Sequence, residues 1–568
     1  MRNANLVRAL REMADRLDLD GVPFKPRAYR RAADVIASLV EPIEALVKEG
    51  RQGQLPGIGE AIAKKMEEFA VTGKLTSLEE LRARLPIDLP ELTQVEGIGP
   101  KTAKLLYEQL GVRNLRDLES AARAGSIRGI KGLGEKSEMK ILRGLAEVSR
   151  IEGRILLGDA WNAAETVIGA LKATGFFERI QAAGSLRRGS DTIGDLDLLA
   201  VSADPGAAAR VFAELPDVVE VLAHGEKKSS IRLEGGLQVD LRIVPSGSFG
   251  AALQYFTGSK AHNVALRKRA VERGWKLNEY GLYDKSGQAI AGAEESEVYE
   301  KLGLQPIPPE LREDQGEMQR AEERTLPQLV ELADIRGDLH VHTDRSDGKA
   351  SLKEMVAAAR SHRLSYIAVT DHVKFAEVIG GITPDDLRVQ LDEIAALNEA
   401  LEKFRVLSGV EVNVDEKGGL DLPDKLLARL DVVVAAIHSH FRLSRGKMTE
   451  RLLQVVENPH VDVLAHPTGR KIGERPGYEA DWDLVFERAA ASGTALEINA
   501  NPVRLDLNSQ LVRRALEVGC RVSIGSDAHR PEQFDLLSLG VITARRGWAR
   551  PDDVVNVLRQ DALRGSNR

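Results

Sequence analysis

Residues 184–198 read Gly184-Ser185-Leu186-Arg187-Arg188-Gly189-Ser190-Asp191-Thr192-Ile193-Gly194-Asp195-Leu196-Asp197-Leu198, and this stretch decides the reading of the chain. The run from Gly194 to Val201 alternates as a strand does. Asp195 and Asp197 therefore project from one face, while Leu196 and Leu198 turn to a core. A second alternating run, Leu237 to Val244, offers Asp240 on its polar face, and a neighbouring strand lies only about 5 Å away. Three carboxylates so placed suit two divalent ions about 4 Å apart, which bridge an attacking hydroxyl and a nucleotide phosphate. A lone Asp-x-Asp is most often a solvated surface pair. Here the small Gly184 and Ser185 let the backbone turn around phosphate oxygens, and Arg187 or Arg188 neutralises a leaving pyrophosphate. The set reads as a nucleotidyl-transfer site.

The chain around that site is too long for one core. At 568 residues it implies about three to five domains. With 43% hydrophobic and 29% charged residues it has the composition of a globular enzyme. Cys520 is the one cysteine, which excludes an internal disulfide and fits a reducing cytoplasm. The charged start from Met1 to Arg16 lacks the apolar core of a signal peptide, and no apolar run approaches the roughly 18 residues of a membrane span. The formal charge of -7 divides unevenly: residues 1–150 sum to +4, residues 151–330 to -6 and residues 331–568 to -5. Acidic metal ligands account for part of the negative balance, because bound cations reverse the local sign. Net charge therefore does not exclude nucleic acid.

Residues 1–150 read as short helices punctuated by three similar turns: Leu55-Pro56-Gly57-Ile58-Gly59, Val95-Glu96-Gly97-Ile98-Gly99 and Ile130-Lys131-Gly132-Leu133-Gly134. Each Gly-x-Gly precedes a helical stretch, giving a repeated helix, tight turn, helix unit. Glycine permits positive φ and close approach of a ligand, and the following helix start offers N–H groups and a positive dipole end. One such turn is as often a plain helix cap; three together read as a surface that grips phosphates without reading bases. In the first unit, Lys65 has the chemistry of a Schiff-base amine, against the plainer reading of a solvated helix lysine.

From Ile335 onward, seven short apolar runs alternate with helical patterns, starting at Asp338, Tyr366, Val406, Val432, Val461, Ala495 and Val522. That rhythm predicts a parallel barrel. Nine His, Asp and Glu residues fall at or near the C-terminal ends of these runs, where barrel active sites gather: His340, His342, Asp347, His372, Glu411, His438, His466, Asp527 and His529. Asp338 and Asp371 accompany them in the same motifs. His438 is preferred to His440, and His224, His262, His362 and His460 read as ordinary core or surface residues. Mixed imidazole and carboxylate donors suit Mn²⁺, Zn²⁺ or Fe²⁺, and nine exceed the needs of one or two ions, so three are expected. Such a cluster activates water against a phosphodiester.

Taken together, the helix–turn repeats, the Gly184–Gly189 turn, the carboxylates and Tyr255-Phe256-Thr257-Gly258-Ser259 resemble DNA polymerase family X over about residues 1–300, and the C-terminal pattern resembles the PHP (polymerase and histidinol phosphatase) family. The resemblance implies a multidomain fold: an N-terminal all-α helix-hairpin-helix region, an α/β nucleotidyltransferase palm with an α+β thumb, and a C-terminal (β/α)7 distorted TIM-like PHP barrel. The corresponding boundaries are 1–150 (lyase-like 1–85, fingers-like 86–150), 151–245 for the palm, 246–304 for the thumb, 305–335 for a Pro-rich then charged linker, and 336–568 for the PHP domain. By resemblance, Asp195, Asp197 and Asp240 bind Mg²⁺ or Mn²⁺. Gly184, Ser185, Arg188 and Arg154 hold the triphosphate; Tyr255, Phe256 and Gly258 line the sugar; Asn278 touches the base edge. Gly57, Gly59, Gly97, Gly99, Gly132 and Gly134 bind DNA backbone, with a monovalent cation at the turns. Lys65 matches the lyase nucleophile, although Ala61 replaces a supporting basic residue and only Lys64 stands beside it. The implied function is filling of short gaps in DNA repair by a cytoplasmic monomer acting on gapped or nicked DNA and dNTPs, with 3′-5′ exonuclease and abasic-site endonuclease activity from the PHP domain. A nucleotidyltransferase on a non-DNA acceptor, and a DNA-binding scaffold with a structural PHP domain, are the rival readings.

Overall fold

The computed structural model describes residues 2–37, 43–55, 57–95, 97–151, 153–373 and 381–558. Pro56 and Glu96 of the turn motifs lie outside them. The chain divides into two compact units, residues 1–152 with 473–476, and residues 153–472 with 477–568. No helix among the described residues is long and apolar enough to cross a membrane.

The first unit is all-helical around two apolar cores. Its three glycine turns repeat one geometry. Gly57, Gly97 and Gly132 take left-handed φ of 75°, 90° and 94°, where a Cβ is disfavoured. In each turn the next residue's N–H bonds three back: Ile58 to Leu55, Ile98 to Val95, Leu133 to Ile130. The second glycine of each pair then caps a helix: α1 (Glu60–Thr72), α2 (Pro100–Leu110) and α3 (Glu135–Ile151). On α1 the buried residues Ile62, Ala63, Met66 and Phe69 form the inward stripe that 3.6-residue periodicity dictates, and Gly73 at φ 70° ends the helix.

The second unit opens with α4 (Leu157–Ala173), β1 (Arg179–Ala182), the single-turn helix α5 (Gly184–Arg187), β2 (Asp195–Val201), β3 (Val218–Ala223), β4 (Lys228–Leu233) and β5 (Gln238–Ile243). They build a five-stranded sheet in the order β1-β2-β5-β4-β3, in which only the β2 and β5 pair is parallel. Leu196, Leu198, Val239 and Leu241 enter the core beneath α4, and Leu505 and Leu539 from the far end of the chain are buried in that same core.

Next come α6 (Phe249–Thr257), α7 (Lys260–Glu272), a three-stranded sheet of β6 (Lys276–Asn278), β7 (Gly281–Tyr283) and β8 (Ala289–Ala291), and α8 (Glu295–Lys301). Here the structure departs from the expected linker. Leu311, Met318, Ala321 and Leu329 join the core of Leu266, Leu282, Val298 and Tyr299, and the Gln305 N–H bonds to the Ala321 carbonyl at 3.0 Å. The proline and charge content suggested a tether, but the apolar residues between the charges seat it as part of the fold.

The remainder is a parallel barrel of β9 (Gly337–Val341), β10 (Tyr366–Val369), β11 (Arg405–Asn413), β12 (Val432–Ala436), β13 (Val463–Leu464), β14 (Ala495–Asn499) and β15 (Val522–Gly525), in strict sequence order. A bridge between Val341 and Ala528 brings its edges together. The last helix used below is α9 (Leu537–Arg546). Seven strands stand where seven were expected, shortened at several ends because the ligand residues leave the ladder.

Candidate active sites

The register of the five-stranded sheet sets Asp197 directly opposite Asp240, with Asp195 two residues along the same strand. The three carboxylates therefore share one region of the sheet, an arrangement that the alternation allowed and the register completes. Burial, then the charges of Asp195 and Asp240, push Asp197 up to about 6. Burial would raise Asp240 too, but hydrogen bonds from Gln238, Lys228 and Ser230 hold it below the usual carboxylate range. Lys228 Nζ stands 3.0 Å from Asp240, and sequence reading passed it over. A buried acid pushed upward by two neighbouring carboxylates belongs to a donor set that fits divalent cations.

Helix α5 starts against this face. Gly184 has φ 61°, and a Cβ there would collide with Asp197 Oδ2, so only glycine fits. The turn expected here is one helical turn, Gly184–Arg187. Arg154 donates from Nε to Thr192 Oγ1 at 2.9 Å, and from its guanidinium to the Thr192 carbonyl. Arg187 is committed elsewhere: it pairs with Glu295 at 2.8 Å and reaches Thr257 Oγ1 at 2.8 Å. Arg188 donates to the Thr257 carbonyl and to Glu313 at 3.1 Å.

Tyr255 and Phe256 meet edge to face at 5.1 Å, Arg242 covers the Phe256 ring at 4.2 Å, and Gly258 takes φ 70° beside Arg188. The Asn278 Oδ1 accepts the Tyr280 and Gly281 N–H groups at 3.0 and 3.2 Å and so closes the β6–β7 hairpin. Asn263, on α7, donates to the Tyr255 carbonyl at 2.7 Å and accepts from Gln254 at 2.8 Å. A polar residue one turn after the Tyr255–Ser259 motif was the signal for it. Lys65 Nζ donates to Ser77 Oγ at 2.8 Å. In the glycine turns, Gly59 and Gly99 cap α1 and α2 without a side-chain acceptor, and Gly134 precedes α3, which leaves first-turn N–H groups to solvent or a ligand.

The second site lies at the C-terminal rim of the barrel. Three groups of donor atoms each fall within 4.8 Å: His342, Asp347, His372 and His529; His340, His342 and Asp527; His372, Glu411 and His438. His466 joins through its Nε2, 3.2 Å from Glu411. All nine expected residues are thus gathered, and His438 rather than His440 faces Glu411, at 3.2 Å. His440 is exposed on Ser439. His466 and Asp527 take φ of 29° and 55°, a backbone cost that non-glycine residues bear mainly at functional sites.

Burial would raise Glu411, but His372, His340 and His438 hold it well below the carboxylate range. Against burial, Glu497, Asp527 and Glu411 raise His340 well above its usual value. His342 goes the other way, pushed down by burial and by His529. His466 falls to about 3 through burial and the nearby Arg504. Among the described residues, His340 Nε2 and both ring nitrogens of His342 are buried with no hydrogen-bond partner. Orphaned imidazole nitrogens among carboxylates are what metal coordination would satisfy.

Outer partners orient the rings. His340 Nδ1 donates to Glu497 at 2.6 Å, His438 Nδ1 to Asn413 at 2.7 Å and His529 Nδ1 to the Asp527 carbonyl at 2.8 Å, which turns each Nε2 inward. Asp371 accepts from Thr343, Ser346 and Gln390 and so braces the loop carrying Asp347. Buried Arg451 ties down the Ser439 and Val414 carbonyls beside His438 and Asn413. Arg504 stands 3.9 Å from Asp527. Sequence reading missed Glu497, although an acid inside the apolar run Ala495-Leu496-Glu497-Ile498 was the available signal.

Comparison with known proteins adds an independent line. Residues 1–75 match a helix-hairpin-helix domain, 89–147 a SAM-like helix-hairpin-helix tandem, 252–313 the DNA polymerase beta thumb and 338–500 the PHP domain. The DNA polymerase/3′-5′ exonuclease PolX of Bacillus subtilis (strain 168) is 38% identical over 560 residues, covering 98% of this chain and 97% of that protein. DNA polymerase lambda of Rattus norvegicus is 26% identical over 332 residues, 53% of this chain and 55% of its own length. A probable phosphatase of Caldanaerobacter subterraneus is 31% identical over 204 residues, 34% of this chain and 75% of its own length.

Proposed function

Because this chain belongs to the bacterial family X DNA polymerases that carry a C-terminal PHP domain, we propose that it fills short gaps in DNA with its sheet site and trims 3′ ends with its barrel site. The observation that carries the first half is the register of Asp197 against Asp240 beneath α5. We assign Asp195, Asp197 and Asp240 to Mg²⁺ or Mn²⁺, and the nine barrel residues to three ions drawn from Mn²⁺, Zn²⁺ and Fe²⁺. When bound, such ions supply Lewis-acid stabilisation of the transferring phosphoryl group and, at the barrel, activation of water.

The chain's own groups do the rest. Ser185, Arg188 and Arg154 receive the triphosphate as charge-assisted donors. Tyr255, Phe256 and Gly258 wall the sugar, with the backbone turn at Gly258 on the side where a 2′-hydroxyl would stand. At the barrel, Glu497, Asn413 and the Asp527 carbonyl hold protons on Nδ1 of His340, His438 and His529, which keeps each Nε2 a donor of its lone pair. The glycine turns of the first unit grip DNA backbone with first-turn N–H groups, together with a monovalent cation. We take the acting species to be a cytoplasmic monomer on gapped or nicked DNA. Incision at abasic sites completes the proposal; Lys65 matches the lyase nucleophile but lacks the supporting basic residue that Ala61 replaces.

The test is a labelled gapped-DNA assay with Mg²⁺ and Mn²⁺ varied. Asp195→Ala with Asp197→Ala should abolish extension and spare degradation, and His342→Ala with Asp347→Ala should do the reverse. Loss of both activities from either pair contradicts two separate sites.

A further inference from the structure

The phosphate-facing helix α5 does not stand alone; the barrel half of the chain supports it from below. Arg546, at the end of α9, donates from Nη1 to the Arg188 carbonyl at 2.6 Å. Ile542, one turn earlier, closes on Gly189 so tightly that a Cβ there would collide with it. Arg470 Nη2 donates to Asp191 at 2.8 Å while its Nε holds the Arg504 carbonyl at 2.7 Å. Leu505 and Leu539 fill the core under the sheet.

One carboxylate links these arginines. Glu313 Oε1 takes Arg188 Nε at 3.1 Å and lies 3.3 Å from Arg546 Nη1. Arg188 and Arg546 are 15% and 14% exposed at the side chain and Glu313 is 27%, so all three sit where charge pairing matters. Arg546 Nε is buried with no hydrogen-bond partner among the described residues. Two cations thus share one anion, and one of them has a donor unspent.

We propose that Arg546, a residue of the C-terminal barrel, is a positioning residue of the nucleotidyl-transfer site: it fixes the backbone of α5 and takes over Glu313 when Arg188 turns to a triphosphate. The inference rests on the reading of Arg188 as a triphosphate contact. Both arginines hold a backbone carbonyl, Arg188 that of Thr257 and Arg546 that of Arg188 itself; Arg546 is the one that stays, because on this reading it is Arg188 that the triphosphate draws away. An incoming polyphosphate supplies the anion that the pair of guanidinium groups lacks. Without Arg546, Glu313 has Arg188 alone, and each movement of Arg188 toward substrate strands a part-buried carboxylate.

Single-nucleotide gap filling by the full chain, with KM for dNTP and kcat resolved and 3′ hydrolysis measured in parallel, tests this. Arg546→Ala should raise KM roughly tenfold, the scale of one charge-assisted hydrogen bond, with kcat and hydrolysis nearly unchanged. Adding Glu313→Gln should return KM to near that of the parent, because a neutral side chain no longer detains Arg188. A purely structural defect would not be rescued by a second substitution. An unchanged KM in Arg546→Ala, while Arg188→Ala raises it, overturns the inference and leaves the polymerase reading standing. Failure of Glu313→Gln to rescue also overturns it. An unchanged KM in Arg188→Ala removes the premise and the inference together. Should Arg546→Ala also lose hydrolysis, Arg546→Lys decides: a raised KM with hydrolysis intact supports the proposal, and an unchanged KM refutes it.

Discussion

Glu295 is the residue whose replacement should tell most about how the sheet and the Phe249–Leu329 core are joined. Its carboxylate receives Arg187 through two bonds of 2.8 Å and Arg312 at 2.5 Å. Arg312 is only 2% exposed and also donates to the Ile307 carbonyl at 2.8 Å. Burial would raise the Glu295 carboxyl, but Arg312 and Arg187 hold it down to about 2, from an ordinary value of 4.5. At about 1.4 kcal/mol per unit, that depression corresponds to roughly 3 kcal/mol of stability at neutral pH. Glu295→Gln removes the charge and leaves two guanidinium groups without their carboxylate, so a loss of about 3 kcal/mol is expected, within the range for breaking a buried pair. The sign of the pH dependence follows. A depressed folded pKa gives stability that is fully present above about 4.5 and lost as pH falls toward about 2. The gap between parent and variant should therefore be widest near pH 7 and close across that acid window. Urea titrations and calorimetry from pH 7 down to pH 3 would read it, with a midpoint drop of roughly 6–12 °C at neutral pH for a domain of this class. A loss below about 1 kcal/mol, or a gap that stays constant through the acid window, would refute the argument.

Glu497→Gln weakens the acceptor for His340 Nδ1 and should lower metal affinity and hydrolysis roughly 10- to 100-fold, with activity recovering at high Mn²⁺; isothermal titration and a hydrolysis assay read this, and extension should not change. Replacing Gly57, Gly97 and Gly132 by Ala puts a Cβ on left-handed backbone, costing roughly 1–2 kcal/mol at each turn. DNA affinity, measured by fluorescence anisotropy, should fall and its salt dependence flatten, with hydrolysis of a mononucleotide analogue unaffected. Chelation should lower the melting temperature of the barrel by exposing the unsatisfied nitrogens of His340 and His342; a thermal scan with and without chelator, in Asp347→Ala as control, would show it.

Much of the architecture could be read from local pattern. Gly-x-Gly ahead of a helix forecast three left-handed turns at the positions where they occur, and seven apolar runs forecast seven barrel strands in order. Most of the candidate metal residues could be gathered in advance because they sit at or just after a strand end, and a parallel barrel brings its strand ends to one rim. Misreadings came where composition spoke against packing. Residues 305–335 carry proline and charge, yet Leu311 and Met318 are buried.

Backbone periodicity is a short-range property, so the sequence by itself determined which residues share a strand face, where glycine turns fall and which acids and imidazoles are available. Partnership between distant residues depends on register and on the packing of whole layers, which no local window contains. Only the tertiary structure decided that Asp197 faces Asp240, that Glu497 orients His340 from 157 residues away, and that Arg546 reaches back 358 residues to support the turn holding Arg188.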